Sequence, residues 1–305
     1  MDFDRIMAAL PVGERKRLAV AAAADTYVLE AVCEAKARGL VRPTLFGGAD
    51  AIRCVASEID CPLEGMEIHD APTDEQAAAM AVSLVRDGGA DMVMKGRLQT
   101  ATLLRAVLDK EHGLRKDKVL SHVGVLHSPT LQRMLLLTDG GMVMYPDLET
   151  KVALIRNAVT AANGLGIAMP KVAAIAAVEV VNPKMQATVD AALLTMMNRR
   201  GQITGCIVDG PLAMDLAITP EAKAHKGVVS DVAGAADILL MHNIDVGNSV
   251  LKTFTKAGDC LVGGVLMGAL APVVLTSRSD GVRSKVYSIA CAAAIAGHLG
   301  DGGAA

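Results

Sequence analysis

Residues 17–48, RLAVAAAADTYVLEAVCEAKARGLVRPTLFGG, decide the fold class. RLAVAAAA is an apolar run of strand length, and Asp25 supplies a side-chain oxygen suited to cap a helix. TYVLEAVCEAKARG then carries apolar residues at helical spacing and stops at Gly39, the residue type that ends helices in the left-handed conformation. PTLFGG resumes an extended run, so the stretch reads as one βαβ unit. The pattern recurs. A helix over Glu75–Arg86 is followed by the turn DGGAD and the strand MVMKG. Further on, VGVLH, MLLLTD, VAAIAAVEV, GCIVDG, DILLM and PVVLTS repeat the short apolar strand at helical intervals. Alternation of this kind predicts a mainly parallel α/β sheet.

The 305 residues are 52% hydrophobic, enough for two cores. Asp147–Ala162, DLETKVALIRNAVTAA, opens with an Asp cap and reads as the first helix of a second domain. The resulting expectation is two α/β domains. The first comprises 1–138 plus 284–305, with a C-terminal helix over Ser284–Gly297 returning to it, and the second comprises 139–283.

Charge and composition narrow the function classes. A net charge of −3 gives no basic footprint for nucleic acid, and aromatic residues at 2% leave few stacking platforms for bases. The six cysteines are scattered without a C-x-x-C pair, which predicts reduced thiols rather than a disulfide framework or a zinc knuckle. MDFDRIMAALP lacks the basic start and apolar centre of a signal peptide, so a cytoplasmic protein is expected. The longest apolar run, Leu261–Leu275, is broken by glycines and a proline and falls short of the ~20 residues a bilayer needs. A small-molecule partner is therefore favoured, with neither nucleic acid nor membrane.

In an open parallel sheet, ligands bind at the carboxyl ends of strands. PVVLTSR, residues 272–278, delivers Ser277 and Arg278 to such an end; the guanidinium can fork two oxygens of a phosphate and the hydroxyl can donate a hydrogen bond. MVMKG leads into Lys95, Arg97 and Arg105 around a strand-to-helix junction that would suit an anion, although the same residues also fit a solvated helix face. Thr138 and Asp139 end MLLLTD, and Asp209 ends GCIVDG; these carboxylates would position substrate, or cap the next helix. DILLM is followed by His242, Asn243, Gly247, Asn248 and a helix carrying Lys252. No histidine has metal-ligand spacing, and neither a G-x-x-x-x-G-K-[ST] loop nor an H-E-x-x-H helix occurs.

In this order the motifs make the chain resemble the phosphate acyltransferases, the family of phosphate acetyltransferase and phosphate butyryltransferase. The carriers are KG-R-x-Q-T-x-x-L-L-R from Lys95 to Arg105, Thr138-Asp139, PDLETKVALIRNAV, Asp209-Gly-Pro, Val232 to Lys252, and PVVLTSR. The ending TSRSDG…SKVYSIA is more similar to butyryltransferases. The resemblance implies two α/β domains of the isocitrate/isopropylmalate dehydrogenase-like superfold enclosing an active cleft. It implies reversible transfer of an acetyl to butyryl group between coenzyme A and inorganic phosphate, giving an acyl phosphate, by direct attack in a ternary complex. It implies a homodimer or larger assembly, with coenzyme A as substrate and no permanently bound cofactor. By matching position Ser277 is a donor to the thioester or thiol, Arg278 a phosphate clamp, and Arg105 a contact to coenzyme A or phosphate, while Asp209, Asn248 and Lys252 line the cleft. Ser284 stands where acetyltransferases carry an aspartate proposed as base, which leaves the base open; Asp280 is nearby, and an unperturbed thiol needs no strong base. Two alternatives remain: a catalytically silent coenzyme A or anion-binding protein of the same fold, motivated by Ser284, and an NAD- and metal-dependent dehydrogenase.

Overall fold

The computed structural model describes residues 2–11, 13, 15–277, 280–300 and 302, and divides the chain into two compact units, Met1–Lys118 with Val262–Gly302, and Val119–Leu261. In chain order the first unit opens with α1 (Phe3–Ala9), β1 (Lys16–Ala21), α2 (Thr26–Ala37), β2 (Val41–Gly47), α3 (Ala49–Glu58), β3 (Glu67–Asp70), α4 (Asp74–Arg86), β4 (Met92–Lys95) and α5 (Thr100–Val107). The second unit contributes β5 (Ser121–Ser128), β6 (Arg133–Thr138), α6 (Leu148–Gly164), β7 (Lys171–Ile175), α7 (Gln186–Arg199), β8 (Ile207–Leu212), α8 (Met214–Ile218), α9 (Pro220–Lys226), β9 (Ile238–Leu240) and α10 (Ile244–Lys256). The chain then returns to the first unit with β10 (Leu261–Met267), β11 (Val273–Val274) and α11 (Val282–Gly300).

Strands of the first unit lie in the order β3-β2-β1-β4-β11-β10, parallel throughout except that β10 runs antiparallel to β11. Leu18 to Ala21 of β1 and Met92 to Met94 of β4 are fully buried, because helices cover both faces of a parallel sheet and leave no place for alternation. The βαβ reading of residues 17–48 holds in detail. Asp25 caps α2 by accepting from Val28 N at 3.0 Å, and Gly39 takes φ +75° just beyond the helix.

In the second unit the order is β5-β6-β9-β7-β8, with only the β5–β6 pair antiparallel. Asp147 caps α6 as the sequence implies, accepting from Thr150 N at 2.8 Å. Helices α1, α2, α4, α6 and α10 each start where a local polar side chain satisfies one of the first free N–H groups.

Several sequence expectations are corrected. The units divide at 118/119 and 261/262, rather than at 138/139 and 283/284. Pairing decides this: β5 joins β6, which joins β9, so residues 119–138 belong to the second unit, while β11 pairs with β4 and carries residues 262–283 into the first. The run VAAIAAVEV is a strand only to Ile175, where the register with β8 shifts. The last helix is longer than Ser284–Gly297 and spans Val282–Gly300. Cys33 on α2 and Cys61 beyond α3, 28 residues apart in sequence, are brought together with Cα atoms 6.2 Å apart. Cys54, Cys206, Cys260 and Cys291 are free thiols.

Candidate active site

In the first unit the chain runs outward through β1, β2 and β3 and then crosses to β4 on the other side of β1. The carboxyl ends of β1 and β4 therefore flank a topological switch point, where open α/β sheets bind ligands. Gly96 N donates to Ala21 O and Arg97 N to Ala22 O, each at 2.8 Å, so the loop leaving β4 is laid against the end of β1. A methyl group on Gly96 would overlap the carbonyl oxygen of Ala22. Lys95 is buried, and its Nζ donates to Gly96 O and Leu98 O at 3.2 Å each, curling the loop around its own ammonium.

Arg97 and Arg105 are exposed, and Arg105 Nη2 donates to Thr102 Oγ1 at 3.2 Å on α5. Helix α5 begins with no side-chain cap on its first N–H groups. Beside Arg97 lies a cavity of about 240 Å³ walled by Ala22, Gly47, Gly48, Ala71 and Thr73, small residues that leave the strand ends bare.

β11 pairs with β4 in parallel, Val273 opposite Val93, and brings the Ser277 segment to the same sheet edge as Lys95. Thr276 is buried and Ser277 exposed. The Asp280 carboxylate accepts from Ser277 N at 2.8 Å, and Asp280 N donates to Ser277 O at 3.1 Å, which closes the turn. Arg278 lies outside the described residues. Ser284, in the first turn of α11, is half-buried and its carbonyl accepts from Ser288 Oγ at 2.8 Å.

In the second unit Thr138 and Asp139 leave the carboxyl end of β6, both buried. The Asp139 carboxylate accepts from His122 N at 2.8 Å, Gly141 N at 2.6 Å and Met142 N at 2.8 Å, so it organises the loop that follows the strand. Asn248 Nδ2 donates to Gly140 O at 2.9 Å, tying α10 to that loop, and Lys252 stands exposed one turn further along. The Gly247 backbone packs so close to Asp139 O that a methyl there would overlap it. Asp209 departs from the sequence reading. β8 continues through Gly210 and Pro211 to Leu212, so Asp209 sits inside an edge strand opposite Ala173, not at the strand's carboxyl end.

Sequence reasoning passed over two buried lysines, Lys151 and Lys285. Lys151 and Asp190 form an ion pair at 2.5 Å with side chains 3% and 8% exposed. Gln186 Nε2 donates to the other Asp190 oxygen at 2.8 Å, and Lys151 Nζ lies 3.0 Å from His242 Nδ1. The ammonium has only donors, so Nδ1 accepts and the neutral ring carries its proton on Nε2. Asp190 and His242 line a cavity of about 420 Å³ with Tyr145, Leu148 and Leu193. The available signal was position: Lys151 falls on the apolar face of α6 beside Val152 and Ile155, and Lys285 precedes Ile289 by one turn of α11.

Burial, and then the Lys151 charge, push the His242 pKa below its ordinary value, with Asp190 opposing. The native chain thus binds this proton less readily than the unfolded chain. His242 contributes full stability above the ordinary histidine value of about 6.5 and loses it as pH falls toward the native value. His242→Gln is expected to flatten this part of the stability profile between roughly pH 7 and pH 5. Denaturant midpoints across that range check it, and an unchanged slope counts against it.

The family model described as phosphate acetyl/butyryl transferase matches residues 74–293. The phosphate butyryltransferase of Clostridium acetobutylicum is 50% identical over 296 residues, covering 97% of this chain and 98% of that protein. The phosphate acetyltransferase of Thermotoga maritima is 43% identical over 284 residues, covering 93% and 96%. Among solved structures, a branched-chain phosphotransacylase from Enterococcus faecalis V583 superposes with a TM-score of 0.82 at 34% identity, covering 92% of this chain and 99% of that one. A 4-hydroxythreonine-4-phosphate dehydrogenase from Klebsiella pneumoniae shares the fold at a TM-score of 0.58 and 14% identity, covering 93% and 100%.

Proposed function

Because the chain belongs to the phosphate acetyl/butyryltransferase family, we propose that it moves a short-chain acyl group between coenzyme A and inorganic phosphate by direct attack in a ternary complex. A phosphate oxygen attacks the thioester carbonyl carbon. The tetrahedral oxyanion collapses, the carbon–sulfur bond breaks, and the thiolate leaves to take a proton. The reverse reaction starts from acyl phosphate. No strong base is required, since an unperturbed thiol of pKa ~8.5 is already partly ionised near neutrality.

Both substrates are polyanions, so catalysis needs cations and donors held in place before they arrive. The observation that carries the reading is that Lys95 ends β4 and Ser277 follows β11, adjacent parallel strands, with Arg97 in the loop after β4 and Arg105 in the last turn of α5. Lys95 shapes the loop, Arg97 and Arg105 receive phosphate groups, Ser277 donates to the thioester or thiol, and Arg278 clamps the attacking phosphate. In the second unit Asp139 and Asn248 build the loop after β6. The reading extends to a cytoplasmic homo-oligomer of the isocitrate/isopropylmalate dehydrogenase-like superfold. Support for the superfold comes from the dehydrogenase likeness.

The test is release of free thiol from butyryl-CoA and acetyl-CoA, with and without phosphate. Phosphate-dependent release, reduced at least about a hundredfold in Arg278→Ala, is expected. Coenzyme A binding without any phosphate-dependent release would instead identify a silent binding protein.

A further inference from the structure

Lys285 stands in the first turn of α11 and is 4% exposed. Two features make this an expensive place for an ammonium. The start of a helix is the positive end of its dipole, which disfavours a cation. Burial also strips the amine of water and pushes its pKa below the ordinary lysine value, with Asp280 and Asp25 pulling it back. What the amine does there is specific. Nζ donates to Asp280 O at 2.7 Å and to Ser277 O at 3.3 Å. Neither acceptor belongs to α11; both flank the segment that carries the Ser277-Arg278 pair.

Among the described residues, Asp280 N donates to Ser277 O and Ser277 N to the Asp280 carboxylate, bonds internal to the segment. Internal bonds set the shape of the turn without setting where it stands on the fold. Lys285 is different, because α11 is packed into the first unit along most of its length, with Val286, Ile289, Ala290, Ala292 and Ala293 buried. An amine that reaches from this helix to both ends of the turn transmits the helix's position to the loop. Charge-assisted hydrogen bonds are the stronger class, which suits this task.

We infer that Lys285 is a positioning residue for acyl transfer: it anchors Ser277 and Asp280 to α11 and so holds the Ser277 backbone in register with the incoming substrate. The inference rests on the proposed function, since it gives the turn a substrate to meet. Lys285 does not act as the base; its amine is committed as a donor to two carbonyl oxygens.

The experiment compares the full chain with Lys285→Met and Lys285→Arg in the thiol-release assay, with melting temperature and amide hydrogen exchange across 276–281 measured in parallel. Lys285→Met should lower kcat/KM for phosphate on the order of tenfold to a hundredfold. Lys285 contacts no substrate, so the loss should fall on kcat more than on the KM for acyl-CoA. Exchange of the 276–281 amides should accelerate. Lys285→Arg, which keeps the charge and several donors, should recover part of the loss. An unchanged phosphate dependence in a folded Lys285→Met protein overturns the inference, as does a rate loss that merely follows the unfolded fraction. Should Lys285→Met not fold, Lys285→Gln takes its place under the same criteria. A wild-type protein that releases no thiol refutes the proposed function, and exchange then decides separately whether Lys285 anchors the turn.

Discussion

Asp190→Ala should destabilise the protein by about 3–5 kcal/mol, because it strands the Lys151 ammonium inside the second unit. The size follows from burial. With side chains 3% and 8% exposed, neither partner of this pair can turn to water when the other is removed. Exposed ion pairs behave otherwise and contribute at most about 1 kcal/mol. Arg17–Asp91, at 42% and 26% exposure, belongs nearer to that class. The pair is also locked from both sides, by Gln186 on Asp190 and His242 on Lys151, so removing the carboxylate leaves three polar groups without their arrangement. The double variant Lys151→Met/Asp190→Leu is expected to recover most of the loss, since an apolar pair of similar volume in a buried site is often neutral or stabilising. Urea midpoints on the two variants check this. A single variant that loses less than about 1 kcal/mol would show that water reaches the ammonium.

Gly96→Ala should reduce acyl transfer on the order of a hundredfold, as a displacement of about 1 Å does when it falls on aligned catalytic groups. The methyl collides with the backbone carbonyl of Ala22, and backbone at the end of a central strand cannot rotate away like a side chain. Overpacking of this kind costs about 1–3 kcal/mol, so the variant should still fold. What moves is the loop leaving β4, which is fixed at Gly96 N and Arg97 N to the end of β1 and curled around Lys95. Steady-state rates on the folded variant decide the matter. Wild-type turnover would mean that the loop accommodates the methyl without disturbing Lys95 or Arg97, and that the β1–β4 switch point is not where phosphate is held.

Those features of the chain governed by near neighbours were legible in the sequence. Asp25, Asp147 and Gly39 bound their helices through contacts within three or four residues, so the type and position of each suffice. Buried parallel strands announced themselves as unbroken apolar runs. Asp209 was misplaced because the end of β8 depends on its pairing with β7, including the register shift near Ile175, which lies more than thirty residues away. The Cys33–Cys61 pair was invisible for the same reason: spacing along the chain carries no information about how α2 and the segment after α3 pack. Lys151 and Lys285 were obscured differently. Lysine is almost always at the surface, and only partners on other elements make its burial tolerable. In the candidate site, Lys95 and Thr138 were legible as ending their strands, while the bonds from Lys285 to Ser277 and Asp280 and from the loop amides to Asp139 were set by tertiary structure.

The first unit is discontinuous, and β11 completes its centre by filling the side of β4 away from β1. On the ribosome, β4 emerges long before its neighbour. At about 5–20 residues per second, β4 waits roughly ten to thirty-five seconds for β11. During that time its outer edge presents unpaired N–H and C=O groups, the usual template for wrong partners. The intervening Val119–Leu261 segment is continuous and free to fold first. Order of synthesis and order of completion are therefore reversed in this chain: the unit begun first is finished last. A protein truncated after residue 261 should retain a protease-resistant second unit while its amino-terminal portion is digested or captured by a chaperone.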